Sequence, residues 1–477
     1  MNKYSILHIS DIHRGPNSDL NNLYESLVND SMVYESEGIV KPSIIVVSGD
    51  IAEGANGDRA EAIIKQQYQE VGEFLDKLTT YFLNGDKRRL IMVPGNHDMN
   101  REMSKVGMRE YALKKDDNPK QIKKHTSKRW SWEDLKFYEI TDVEAYAKRF
   151  DLFVDFYNSF YGGIRSITGN PETFSDVVDL EDYGISFALF NSCYRLDHLR
   201  YCGEIYPASV THLAPQLRHL DRKGRLIAGV WHHHTQGLPE EDNYMDYRVL
   251  PSLIEQGVHI GLFGHQHFSQ IINHYMNATD NRELLLISSG SLYGGHKQLV
   301  TGYSRQYNII EVDIQGAEAE ITVNVRKDNQ PDYDIPSWGI SPVGNANLDG
   351  KYRHTIKLNI PSEDEQVLEI DNQAKLTGDY TTALRNLSAH HSKYYRYNEL
   401  ADTYLPKVKM QSVELISILR HPQTEAQAIM LIAAAEQSRN WQLVREVLNE
   451  PYVKNSKSTM VKEYRDRLQT KLEIFGI

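Results

Sequence analysis

Cysteine is almost missing: Cys193 and Cys202 are the only two in 477 residues. That is too few for a disulfide scaffold, and it leaves no thiolate set for a structural zinc site. Long apolar runs are missing as well, with nothing near the ~18 residues of a membrane span. The first ten residues, Met-Asn-Lys-Tyr-Ser-Ile-Leu-His-Ile-Ser, have neither the apolar centre nor the small-residue cleavage site of a signal peptide and read at once as a strand. The expectation is therefore a cytoplasmic protein with no membrane association. A basic excess is also absent. The net charge of −12 argues against a surface coated for duplex DNA. With 40% hydrophobic and 25% charged residues and no low-complexity run, the chain reads as globular, and its length suits two or three domains.

What is present is a succession of short apolar runs, each ending in a polar or glycine-containing break. They cover 4–9, 44–47, 90–93, 185–190, 226–231, 258–263, 284–287, 309–314 and 321–325. Runs of that length, rich in Ile and Val, fit buried strands. Helical spacing lies between the early ones, at 20–34, 60–82 and 210–220. The alternation predicts an α/β domain over 1–327 with buried sheets, closed by successive strands after Glu283. The stretch from about 100 to 180 breaks the rhythm. It is charged and aromatic, with a single amphipathic helix expected over 142–160, and it reads as a helical insertion. Residues 328–373 read as a linker with a candidate strand at 354–360. Helical patterns at 414–419, 426–437, 441–448 and 461–472 predict an all-α domain over 374–477. Gly378-Asp379-Tyr380 before Ala383-Leu384 has the look of a tetratricopeptide turn, without a clean repeat period.

Five of the breaks carry metal-capable side chains. They are Asp11-Ile12-His13, Gly49-Asp50, Gly95-Asn96-His97-Asp98, His232-His233-His234 and Gly264-His265-Gln266-His267. In a strand, residues two apart share a face, so Asp11 with His13 and His265 with His267 are expected to point the same way. Any one pair is commonplace. Together, at the ends of successive buried strands, they converge on the edge where open α/β folds bind ligands. Mixed carboxylate, amide and imidazole donors suit manganese first, with iron or zinc next, at a catalytic rather than structural site.

In these motifs and their order the chain resembles the calcineurin-like metallophosphoesterase family over about residues 4–327. The resemblance implies a two-sheet α/β sandwich that hydrolyses phosphoesters with two divalent metal ions. It implies Asp11, His13, Asp50 and His267 around the first metal, with Asp50 bridging to a second held by Asn96, His233 and His265. The family usually has His, then His or Ser, then Pro; Thr235 stands where Pro is expected, so His233 is the implied ligand and His232 the alternative. His97 is implied as a phosphate contact and general acid, with Asp98 orienting its ring. Arg14 is placed either to touch a phosphate oxygen or simply at the surface.

The substrate is less constrained. Residues 101–130 hold ten Lys or Arg against four Asp or Glu, and this segment begins three residues after Asp98. It is either a solvated insertion or a patch that draws a polyanion to the site. The leading expectation is a phosphodiesterase acting on nucleic acid or nucleotides, as the nuclease component of a larger assembly. Its alternatives are a phosphodiesterase of cyclic nucleotides or other small molecules, then a protein phosphatase or a scaffold with a vestigial site. The helical C-terminal domain suggests a protein partner or self-association.

Overall fold

The computed structural model describes residues 3–14, 19–115, 117–118, 127–236, 244–275, 282–293, 299, 302–331, 333, 335–342 and 349–360. Toward the C-terminus it describes 370, 372–373, 376–379, 416–417, 419–422, 424–474 and 476. The chain forms two compact units, Met1–Ile360 and Pro361–Ile477.

The first unit begins β1 (Lys3–Ile9), α1 (Leu20–Ser31), β2 (Ile44–Val47), α2 (Ala60–Leu83) and β3 (Leu90–Met92). It continues with α3 (Arg101–Val106), β4 (Met108–Tyr111), β5 (Lys128–Ser131), β6 (Lys136–Ile140), α4 (Val143–Ala147) and α5 (Asp151–Tyr161). Next come β7 (Ser175–Leu180), β8 (Ile185–Phe190), α6 (Pro207–Arg222), β9 (Leu226–Val230), α7 (Val249–Glu255) and β10 (Ile260–Phe263). The strands β11 (Gln270–Tyr275), β12 (Glu283–Ser288), β13 (Gln306–Gln315), β14 (Glu318–Asp328), β15 (Trp338–Ile340) and β16 (Tyr352–Lys357) complete it.

Two mixed sheets make the core. One has the order β15-β14-β13-β1-β2-β3 with β16 also on β14, and the other β11-β12-β10-β9-β8-β7. The pairs β1/β2, β2/β3, β8/β9, β9/β10 and β10/β12 are parallel. Alternation along each strand decides which side chain faces where. Ile44 and Val46 of β2 meet Phe187, Ala228 and Leu262 in the core between the sheets. Ile45 and Val47 turn outward beneath α1, α2 and α5. On the other outer face, α6 and α7 cover Ile227, Trp231 and Leu284. Because parallel central strands are buried on both faces, their sequences are unbroken apolar runs rather than alternating ones.

Three expectations change here. The insertion is not purely helical: β4, β6 and β5 form an antiparallel sheet of their own. The helix expected over 142–160 is divided into α4 and α5 by a 3-10 turn at Lys148–Phe150, where Arg149 and Phe150 both turn inward. The segment expected as a linker adds β15 and β16 to the first sheet, with β16 paired from Glu318↔Lys357 to Val323↔Tyr352. Tyr380, Ala383 and Leu384 of the tetratricopeptide-like pattern, and residues 414, 415 and 418, lie outside the described residues. The second unit contains α8 (Glu425–Ser438), α9 (Trp441–Leu448), α10 (Pro451–Lys454) and α11 (Thr459–Ile474) around Leu431, Ala435, Val447 and Leu468. Among the described residues, no helix is long and apolar enough to cross a membrane.

A buried ion pair fixes α1 to the first sheet. Arg326 of β14, 1% exposed, bonds the Asp30 carboxylate through Nε at 3.0 Å and through Nη2, while the Tyr307 hydroxyl donates to the same carboxylate. Removing one partner leaves the other charge buried and unpaired. Arg326→Ala is therefore expected to lower stability by about 3–5 kcal/mol, measured by urea unfolding. A loss under about 1 kcal/mol would contradict this account.

Candidate metal centre

The polar clusters gather at the carboxyl ends of β1, β2 and β3 from one sheet and β9 and β10 from the other. Asp11 and His13 lie beyond β1, which stops at Ile9, and His265 and His267 lie beyond β10, which stops at Phe263. Strand alternation is thus not what aligns these pairs. Asp11, His13, Asp50, His265 and His267 have φ of 52°, 45°, 51°, 76° and 63°. They are five of the ten non-glycine residues with positive φ among the described residues. Each such backbone costs about 1–3 kcal/mol and persists only where its surroundings impose it.

Those surroundings are hydrogen bonds between the loops. The Asp11 N–H donates to the Gly49 carbonyl at 3.1 Å, His13 N–H to the Asp50 carbonyl at 3.1 Å, and Gly264 N–H to the His232 carbonyl at 3.0 Å. Asp98 closes the arrangement from behind. Its carboxylate accepts from the backbone N–H groups of Ile51 (3.2 Å), Ala52 (3.0 Å) and Gly95 (2.8 Å) and from the Tyr68 hydroxyl (3.1 Å). One side chain therefore ties the loop of Asp50 to the loop of Asn96. Gly95 is required there because a Cβ would run into the Asp50 carboxylate.

The side chains converge as lone pairs. In one group, His13 Nε2 lies 3.1 Å from His267 Nε2, and Asp11 Oδ1 lies 3.6 and 3.3 Å from those two atoms. In a second, Asn96 Oδ1 lies 3.0 Å from both His232 Nε2 and His265 Nδ1. Asp50 Oδ2 stands between the groups, 3.2 Å from His232 Nε2 and 3.7 Å from His13 Nε2. The His232 Nδ1–H donates to the Ser48 carbonyl at 2.8 Å, which leaves the neutral ring's lone pair on Nε2. Acceptors at such spacing repel one another unless a cation lies among them. Metal–ligand bonds of about 2.0–2.2 Å put neighbouring donors roughly 3 Å apart, so the residues fit a pair of divalent ions. Among the described residues, three overlapping groups have metal-holding geometry: Asp11, His13, His267; His13, Asp50, His97; and Asp11, Asp50, His232.

Electrostatics agree with the geometry. Burial alone would raise the Asp11 pKa, but hydrogen bonds with His13 and His267 hold it well below the usual carboxylate range. Asp50 is likewise held far down against its burial by the charges of His232 and His97. Burial disfavours the His232 cation, yet the Asp50 carboxylate prevails and lifts its pKa to about 9. His265 is pushed down to about 3 by burial and by the His232 charge.

Several residues stand otherwise than the sequence suggested. His232, rather than His233, faces Asp50 and Asn96; His233 turns Nδ1 to the Ser192 hydroxyl at 2.9 Å and packs on the His265 ring at 4.7 Å. His97 donates its backbone N–H to Asp50 Oδ1 at 2.8 Å and sets its ring edge-on to His13 at 4.7 Å. Its Nδ1–H is held by the Glu53 carbonyl at 2.8 Å, not by Asp98, which is committed to the loop clamp. Burial holds the ring's pKa down at about 4. Arg14 forms an ion pair with Glu70 of α2. Ser48, Glu53, Tyr68 and Ser192 were not anticipated. Only Ser48 carried a signal, its position beside Gly49-Asp50; the others act through carbonyls or hydroxyls that no spacing rule marks.

The family model for calcineurin-like phosphoesterases matches residues 4–269. No curated protein gives a significant match. Among solved structures, a putative 5'-nucleotidase from Staphylococcus aureus in complex with alpha-ketoglutarate is 10% identical with a TM-score of 0.32. That similarity covers 76% of this chain and 55% of the other, so the chain spans about half the length of that protein. Vps29 from Chaetomium thermophilum is 8% identical, with a TM-score of 0.27, over 74% of this chain and 97% of its own. Vps29 from Entamoeba histolytica, as its D62A mutant, is 10% identical with a TM-score of 0.27, over 74% and 99%.

A methyl group on residue 95 must displace the Asp50 carboxylate, the atom set common to both groups. Gly95→Ala is expected to weaken manganese binding by at least about tenfold in calorimetric titration. Unchanged affinity would show that the loop yields without moving Asp50.

Proposed function

The chain belongs to the calcineurin-like phosphoesterase family, and from that premise we propose that it is a phosphodiesterase acting on nucleic acid or nucleotides. The observation that carries the catalytic part is Asp50 Oδ2, placed between two sets of converging lone pairs. We assign Asp11, His13, His267 and Asp50 to one metal ion and Asp50, Asn96, His265 and His232 to the other. Bound there, two divalent ions supply an acidified water and the positive charge that a phosphoryl group needs as it is displaced.

The chain's own residues do the rest. The loop bonds hold the seven donors at fixed spacing, so little reorganisation is needed when substrate arrives. His97 has committed Nδ1 to Glu53, so Nε2 is the ring atom left to contact a phosphate oxygen or hand a proton to the leaving oxygen. The negative charge of the substrate offsets the burial that otherwise keeps this ring neutral.

The nucleic-acid part is supported by the insertion. The segment 101–130 carries a charge of +6 beside His97. By strand register, Lys128, Trp130, Arg109, Tyr111 and Phe137 share one face of its sheet. The Lys128 ammonium lies 3.6 Å from the Tyr111 ring centroid, and Trp132 is 76% exposed. Cations interleaved with aromatic rings suit a phosphate chain with stackable bases. Lys120, Lys123 and Lys124 lie outside the described residues.

The test is a substrate panel with manganese: a chromogenic monoester and diester, cyclic nucleotides, and labelled DNA and RNA. Cleavage of DNA or RNA is expected. Turnover of the chromogenic diester or of cyclic nucleotides, with neither nucleic acid cut, would sink the nucleic-acid part. His97→Ala should lose about 10²–10⁴ in kcat while keeping both metals, and loss of a metal would make His97 a ligand. Metal analysis of two further variants tests the ligand choice. His232→Ala should lose one of the two ions and His233→Ala neither, and the reverse result would restore His233.

A further inference from the structure

Arg101 follows the loop that carries Asn96, His97 and Asp98, and it opens α3. Its half-buried guanidinium lies over the Tyr201 ring, 5.5 Å from the centroid. Both sides of this position are fixed. On one side the neighbouring Glu102 accepts from the Gly57 N–H at 3.0 Å, in the same loop whose Glu53 carbonyl holds His97. On the other, the Tyr201 hydroxyl donates to the His198 carbonyl at 2.6 Å. His198 is itself tied to Ser104 of α3, through its ring Nδ1 at 2.8 Å and its backbone N–H at 3.3 Å. The ring beneath Arg101 is therefore not free to drift.

The surrounding cations have acceptors already. Arg14 is paired with Glu70, Lys105 with Glu102, Arg129 with Asp197, Arg149 with Glu172 and Arg200 with Glu204. Arg109 is turned onto the carbonyls of Val106 and Met108. Among the described residues, Arg101 alone in this group has neither a carboxylate nor a carbonyl acceptor for its side chain. A guanidinium stacked on an aromatic face keeps its N–H edge available, and that planar fork matches two oxygens of a phosphate. Arg101 opens α3 four residues after His97, and its neighbour Glu102 bonds Gly57 in the loop that also holds the His97 ring.

We propose that Arg101, backed by Tyr201, binds the phosphate next to the scissile one in a polynucleotide. This rests on the nucleic-acid reading of the site and adds a specificity residue to it. A substrate with one phosphate has nothing to offer this position, so the contact selects chains over small diesters. Tyr201 acts as a positioning residue, holding the fork edge-out.

The experiment compares wild type, Arg101→Ala and Arg101→Lys, all loaded with manganese. The substrates are labelled single-stranded DNA and RNA oligonucleotides and bis-para-nitrophenyl phosphate, which has a single phosphate. In Arg101→Ala the ratio of kcat/KM for the preferred oligonucleotide to that for the diester should fall about ten- to a hundredfold, mainly through KM. Arg101→Lys should recover part of the loss, because the charge returns without the fork. The slope of log KM against log salt should flatten by about 0.7, as expected for one lost phosphate contact on a single strand. An unchanged ratio, an equal fall on both substrates, or loss of metal from Arg101→Ala overturns the proposal. Wild type that turns over the diester but no oligonucleotide fells the nucleic-acid reading, and this inference with it. Wild type that cuts the oligonucleotide while Arg101→Ala keeps the ratio removes the Arg101 contact alone.

Discussion

The Asp50 carboxylate is 1% exposed and is ringed by atoms that carry lone pairs. A buried charge of that kind is tolerated only with compensation close at hand. Its Oδ1 accepts the His97 backbone N–H, and its Oδ2 is left facing His232 and His13. Much of the local backbone follows from keeping that atom where it is. Gly95 must lack a side chain to pass beside it, and Asp98 must gather three N–H groups to hold both loops at the right separation. The left-handed φ of Asp11, His13, His265 and His267 is the same requirement met from the neighbouring strand ends. Half of the described non-glycine residues with positive φ fall in this one cluster, which marks a site held ready rather than assembled on demand.

The two sheets are what impose this. Asp11, His13, Asp50 and Asn96 come from ends in one sheet, and His232, His265 and His267 from ends in the other. No single sheet can complete either group of donors. The packing of Ile6, Val46 and Ile91 against Ala228 and Leu262 therefore sets the distances at the site as well as the stability of the fold. The Ser291 hydroxyl, donating to the Asp11 carbonyl at 2.8 Å, adds a direct link from the loop after β12 to the loop after β1. Cores packed to crystal-like density transmit small displacements instead of absorbing them. Volume changes between the sheets are thus felt at the donors.

Much of this was legible in the sequence, for identifiable reasons. The runs at 44–47 and 185–190 coincide with β2 and β8 because a strand buried on both faces has no choice but to be apolar throughout. The donor residues stood out because buried strand ends rarely carry so many ligand types. Their geometry was harder to foresee. Alternation describes residues inside a strand, and Asp11, His13, His265 and His267 are all past the end of one. The three consecutive histidines could not be ranked by counting back from a proline that is absent; only the bond from His232 to the Ser48 carbonyl sets that ring toward Asp50. The insertion sheet escaped notice because β4 and β5, Met-Arg-Glu-Tyr and Lys-Arg-Trp-Ser, are too short and too charged to look like strands. Arg14 was read from its place after the first motif, and no local pattern announces Glu70 on α2.

The insertion is nonetheless held to the core more firmly than its charged sequence suggests. Arg129, 4% exposed, bonds Asp197 at 2.6 Å, and the Tyr146 hydroxyl donates to the same carboxylate at 2.9 Å. Arg149, fully buried, donates to the Leu196 carbonyl at 3.0 Å and pairs with Glu172. These links join β5, α4 and the 3-10 turn to the segment after β8 and to the turn before β7. Buried ion pairs add little net stability, because desolvation offsets most of the attraction, but a mispaired arrangement leaves a charge stranded. Their effect is to allow one orientation of the insertion and penalise others. Arg101 and Tyr201 lie on the two segments joined in this way, so their separation is set by the same pairs. A recognition residue is selective only to the extent that its distance from the reacting atoms is fixed. The buried arginines of the insertion thus bear on the recognition proposed for the half-buried Arg101 by fixing where it stands.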